Sequence, residues 1–277
     1  MGKISSEARN RYFEKIKEYK KVIEGINRRE KNLLNVIQSD ENGGGYKRLI
    51  LADEVLNRVS YNLLMNSLSV SLLGIKNETF LNDARKDCYK SIIYLEEVVT
   101  PYLDVPFSEY EEKVKTIEDF DDEKRYALVQ KLGFTIQSVI EGFGENSKWK
   151  WSFVELEGRY ATITKNLINL KTVVSGMDPR VSGYEVRLAH LKLVKKLLQQ
   201  AADRYRQKYE LSTLRADDFQ MAINYLSALR RLHILLGETE ESEVIKRKID
   251  VWKLKMETDS KKVEKESRKG KLKSEKG

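Results

Sequence analysis

Apolar residues recur along this chain at alternating steps of four and three. Residues 5–38 carry Tyr12, Ile16, Tyr19, Ile23, Ile26, Leu33 and Ile37, with Glu30 filling the one missing position. That heptad pattern is the signature of a long helix packed nearly parallel to a neighbour. Residues 46–75 repeat it with Leu49, Ala52, Leu56, Val59, Leu63, Val70 and Leu73, and Asn66 sits in the seam. Asn77 caps a third helix over 78–99, whose seam is Leu81, Ala84, Cys88, Ile92, Leu95 and Val99. No run alternates with period two, and no Asn-Gly hairpin joins β-rich segments.

Residues 100–107, TPYLDVPF, interrupt the pattern and mark the expected domain boundary. Ser108 with Glu111 reads as a capping box for a short helix. EDFDDE (118–123) then opens a helix that runs to about residue 143. Residues 148–175 hold the most regular seam, from Trp149 through Phe153, Leu156, Tyr160, Ile163, Leu167 and Leu170 to Val174. They read as one helix. After the corner GMDPRVSG, helices are expected over 184–210, 213–236 and 240–260. Within these, DDFQMAINYLSALRRL (217–232) resembles the second helix of a tetratricopeptide repeat, through Asp218-Phe219, Ala222-Ile223, Tyr225 and Ala228-Leu229. It occurs once, and the helix before it is too long for a 34-residue unit. The resemblance therefore implies no repeat array.

These elements predict an all-α protein: an elongated bundle of about eight long antiparallel helices, joined as αα-hairpins. A three-helix unit over 1–99 would precede a helical bundle over 108–260. A basic tail over 261–277 has too few apolar residues to offset ordering and is expected to be disordered or a frayed helix end. The longest uncharged run, VSYNLLMNSLSVSLLGI (59–75), is shorter than the about 20 residues of a bilayer span and carries several Ser and Asn. It reads as the central helix of the bundle, with Ser60, Ser67, Ser71 and Gly74 admitting a close neighbour. No apolar signal core opens the chain and there is one cysteine, so a cytoplasmic protein is expected.

Charge adds one feature. The net +8 is concentrated at the two ends, with +5 in residues 1–38 and +5 in 261–277, while the remainder is near neutral at −2. Basic ends leave nucleic acid possible as a partner, although a uniformly basic surface would argue for it more strongly.

Candidate chemistry is sparse. Gly43-Gly44-Gly45-Tyr46-Lys47-Arg48 lacks the spacing and the Ser/Thr of a P-loop, and a helix precedes it rather than a strand. It reads as a flexible corner followed by two basic residues. From Asp119 an EF-hand would need Gly at the sixth position and Glu at the twelfth, and the chain has Lys124 and Gln130. His190 and His233 belong to no metal or catalytic motif, and Cys88 falls on an apolar seam. No cofactor, metal site or catalytic set is expected. RYRQKY (204–209) places Tyr205 and Tyr209 on one helical face, with Arg204, Arg206 and Lys208 outside. Trp149 and Trp151 cannot share one seam, which leaves Trp151 as an interface anchor.

The sequence therefore leads to a non-enzymatic helical adaptor or scaffold. Its candidate partner-binding residues are Trp151, Lys47, Arg48, Arg204, Arg206 and Lys208. A second copy could complete some heptad seams. The alternative is a nucleic-acid-associated protein using the basic N-terminal helix and tail.

Overall fold

A computed structural model describes the backbone of residues 5–40 and 42–274, and side chains as far as 261. The described residues form ten α-helices and no strand. They are α1 (Ser6–Ser39), α2 (Gly44–Leu73), α3 (Glu78–Val98), α4 (Phe107–Lys115), α5 (Asp122–Phe143), α6 (Lys150–Asn166), α7 (Leu170–Ser175), α8 (Tyr184–Lys208), α9 (Ala216–Leu235) and α10 (Thr239–Ser274). The basic tail expected over 261–277 lies, Lys261 apart, outside the residues whose side chains are described. The α10 backbone is helical to Ser274.

The chain divides into two compact units, Met1–Leu191 and Lys192–Gly277. The division expected at 100–107 is not where the break falls. α2 packs on α1, α3 and α5, and α3 also packs on α5 and α6, so helices on both sides of that segment share one core. Asn166, fully buried at the end of α6, donates to the carbonyls of Thr100 (2.9 Å) and Tyr102 (3.1 Å) and ties the segment down.

In the first unit, Ser5 caps α1 by accepting from the Ala8 amide, satisfying one of its orphan donors. The α1 seam is buried at Tyr12, Ile16, Ile26, Glu30 and Ile37. Asn66 in the α2 seam has a definite partner: its side-chain oxygen accepts from the Asn77 amide at 2.9 Å, one residue before α3 begins. Gly43 has φ of 64°, in the left-handed region that turns the chain from α1 into α2. At Gly45 a Cβ would come within 2.7 Å of the buried Ile117 side chain, so glycine there permits close packing. The triple glycine is thus a corner with two structural demands.

Three local expectations are corrected. Residues 148–175 do not form one helix: α6 ends at Asn166 and α7 starts after Asn169, whose side chain accepts from the Lys171 and Thr172 amides. The Ser108–Glu111 capping box does not form, because α4 begins at Phe107 behind Pro106 and has no side-chain cap, while Glu111 pairs with Lys171. Ser60, Ser67, Ser71 and Gly74 face outward, since α1, α3 and α5 occupy the other sides of α2.

In the second unit α9 packs on α10. A π-helical turn, Tyr209–Thr213, and a left-handed Leu214 (φ 50°) join α8 to α9. Tyr209 stacks on Phe219 at 4.7 Å between centroids, and Phe219 meets Trp252 at 5.9 Å. Tyr205 stacks on Tyr225 at 5.6 Å. Both tyrosines of RYRQKY are core residues, each buried ring contributing about 2 kcal/mol by area.

Candidate interaction surface

The six residues singled out from the sequence are largely engaged within the chain. Lys47 donates from Nζ to the Asp40 carbonyl at 2.9 Å, and Arg48 donates from Nε to Glu97 at 2.6 Å. Arg206 binds Glu210 and lies 5.2 Å from the Trp252 ring centroid. Lys208 binds Asp218 at 2.7 Å, and Arg204 is also engaged. Trp151 is half-buried, with the Lys150 ammonium 5.2 Å from its ring centroid. Lys47 and Arg48 belong to the first unit, and Arg204, Arg206 and Lys208 to the second.

The buried titratable groups serve the fold. Arg58 of α2 binds Asp87 of α3 through Nε and Nη2, at 2.8 and 2.6 Å, and Glu30 of α1 through Nη1 at 2.7 Å. Tyr94 and Lys90 complete the shell around Glu30. Burial raises the Glu30 carboxyl, but the hydrogen bonds from Arg58, Lys90 and Tyr94 outweigh it and hold the group below the usual carboxylate range. Arg125 is buried and donates to the carbonyls of Phe120, Ile117, Val114 and Leu167, at the ends of α4 and α6; desolvation lowers its pKa. His190 meets the Thr164 carbonyl at 3.0 Å, and burial lowers its pKa to about 4, so it is neutral at pH 7. Burial pushes the Cys88 thiol far up, which removes the thiolate a nucleophile needs. No three His, Cys, Asp or Glu side chains among the described residues converge as metal ligands. No helix of the described residues is long and apolar enough to cross a membrane.

The open surface of the first unit carries a different feature. A groove of about 450 Å³ lies between α2 and α5, lined by Tyr46, Leu49, Ile50, Phe120, Ala127 and Leu128. A hollow of about 310 Å³ lies between α2 and α1, lined by Leu33, Val36, Ile50 and Leu51. Ile50 and Glu54 border both, so the two depressions flank one ridge of α2. Ile50, at 55% exposure, stands on that ridge. Charges at the rim are already matched: Arg29 binds Glu54 at 2.7 Å, and Lys131 binds Asp53 and Asn57. Phe134, one turn beyond Lys131 on α5, is 77% exposed.

Sequence reasoning missed this surface. Ile50 is an apolar residue one position off the Leu49 seam, and Phe120 is an aromatic inside an acidic run. Both are signals of an apolar residue not claimed by the helix's own seam. Which helices flank them depends on the fold.

Residues 8–260 match the family model described as the TP0443 family. No curated protein and no solved structure matches the chain.

Proposed function

The chain belongs to the TP0443 family, and for this member of it we propose a non-enzymatic helical scaffold that docks a protein partner through the first unit. The observation that carries this reading is the pair of apolar depressions flanking Ile50, whose polar rim is already neutralised within the chain. Apolar surface of this kind gains from association, and matched rim charges lose little on desolvation compared with bare ones. The non-catalytic part rests on the buried titratable groups. His190, Cys88, Glu30, Asp87 and Arg125 are each held in the core by packing or hydrogen bonds.

The test is an affinity purification from native cells, divided in two and nuclease-treated on one side, followed by mass spectrometry. Protein partners that survive nuclease support the scaffold. Partners that vanish with nuclease favour the nucleic-acid alternative, carried by the basic ends. Turnover of nucleotides or esters that scales with the concentration of purified protein overturns the non-enzymatic part.

A further inference from the structure

The groove itself constrains what it holds. Ile50 and Glu54 are four residues apart on α2, about 6 Å along its axis. A ridge of i, i+4 residues with a depression on each side is the surface one helix offers another, since the partner's side-chain rows drop into the two depressions. Ile50 tops the ridge, Leu49 and Leu51 line the depressions on either side of it, and the walls are Leu33 and Val36 on α1 and Ala127 and Leu128 on α5. An occupant therefore presents an apolar stripe at helical spacing.

Charge distinguishes one end. Tyr46 and Phe120 line the groove where α2 and α5 begin. The Tyr46 hydroxyl accepts from the Asp119 amide at 3.0 Å, which brings residues 118–123 against that end. Glu118, Asp119, Asp121 and Glu123 are exposed there, as is Asp40 at the end of α1. The nearby cations are partly committed: Lys124 pairs with Asp121 and donates to the Asp119 carbonyl, and Lys47 donates to the Asp40 carbonyl. Asp122 is held by Arg187. The end is net acidic.

We infer that this groove takes an amphipathic helix of a partner protein, bearing Lys or Arg at the end that meets residues 118–123. The inference rests on the scaffold reading and specifies its partner. Nucleic acid is repelled by the same acidic end. The chain's own basic segment 262–277 has only Val263 and Leu272 as apolar residues, too few to fill the depressions.

The probes are two labelled helical peptides with the same leucine stripe, one ending in three lysines and the other in three glutamates. Fluorescence anisotropy measures their binding to the full chain. The lysine peptide is expected to bind about tenfold tighter at low salt, with the gap narrowing as salt rises. Replacing Glu118, Asp119 and Glu123 with lysine should reverse the preference, and Ile50→Glu should weaken both peptides about tenfold or more. Circular dichroism checks that the variants fold; all four positions are exposed. Equal binding of the two peptides, an unchanged preference in the triple variant, or no binding overturns the basic-helix assignment. Should nuclease-resistant partners nevertheless be lost with Ile50→Glu, the scaffold reading stands and only the partner's chemistry is wrong. Should no nuclease-resistant partner exist, the scaffold reading falls as well.

Discussion

Arg58 of α2 and Asp87 of α3 meet as a two-pronged pair in the core, Nε to Oδ2 at 2.8 Å and Nη2 to Oδ1 at 2.6 Å. The third prong of Arg58 reaches Glu30 in the apolar seam of α1. A single guanidinium thus fixes the register of three helices. Removing it strips both charge-assisted bonds from the buried Asp87 carboxylate and leaves Glu30 with Lys90 and Tyr94 alone, which costs far more than the pair contributes over apolar residues of the same volume.

Arg58→Met is therefore expected to destabilise the first unit by about 3–5 kcal/mol. A triple variant that also makes Glu30→Leu and Asp87→Leu should recover much of the loss. Urea unfolding of the two variants checks this. A triple variant no more stable than Arg58→Met would show that the carboxylates were not the source of the cost.

His190 gives a pH dependence with a definite sign. Its folded pKa, near 4, lies below the ordinary histidine value because burial disfavours the charged form; the Thr164 carbonyl pulls weakly the other way. The unfolded chain then binds the proton more tightly than the folded one. The contribution of His190 is fully present above about pH 6.5 and is lost as pH falls toward about 4. Between pH 7.5 and 5 the loss is about 2 kcal/mol. Unfolding of the wild type and of His190→Gln at both pH values isolates it, and the wild type should lose about that much more.

Arg125 donates to carbonyls at the ends of α4 and α6: that of Leu167, and those of Val114 and Ile117, which also accept from the Ile117 and Phe120 amides. Arg125→Met takes the side-chain donor from the Phe120 and Leu167 carbonyls, at about 1–3 kcal/mol for each one left buried and not rescued by water. Amide exchange over 114–120 and 167–173 should accelerate relative to the α2–α3 core. Uniform acceleration across the unit would instead indicate general loosening.

The helices were legible because heptad seams of Leu, Ile and Val read the same from sequence as from structure. The turn at Gly43 was legible for the same local reason. The break after Asn166 was not, since Leu167, Leu170 and Val174 continue the seam through it. What ends α6 is a set of long-range bonds, Asn166 to residues 100 and 102 and Arg125 to the Leu167 carbonyl. Arg58 and Asp87 read as ordinary charged positions until α2 and α3 are paired. The candidate surface was hidden in the same way. Trp151 drew attention as an unplaced aromatic, whereas Ile50 matters because α1 and α5 leave it uncovered.

The face around Ile50 is proposed to dock a protein. A photo-crosslinking amino acid placed at Ile50 in native cells, with nuclease treatment before analysis, reports directly on what touches it. The control position is Lys86, an exposed site on α3 that borders neither depression. Discrete protein adducts are expected from position 50 and not from position 86. The same adducts from both positions, or adducts to nucleic acid alone, would contradict it.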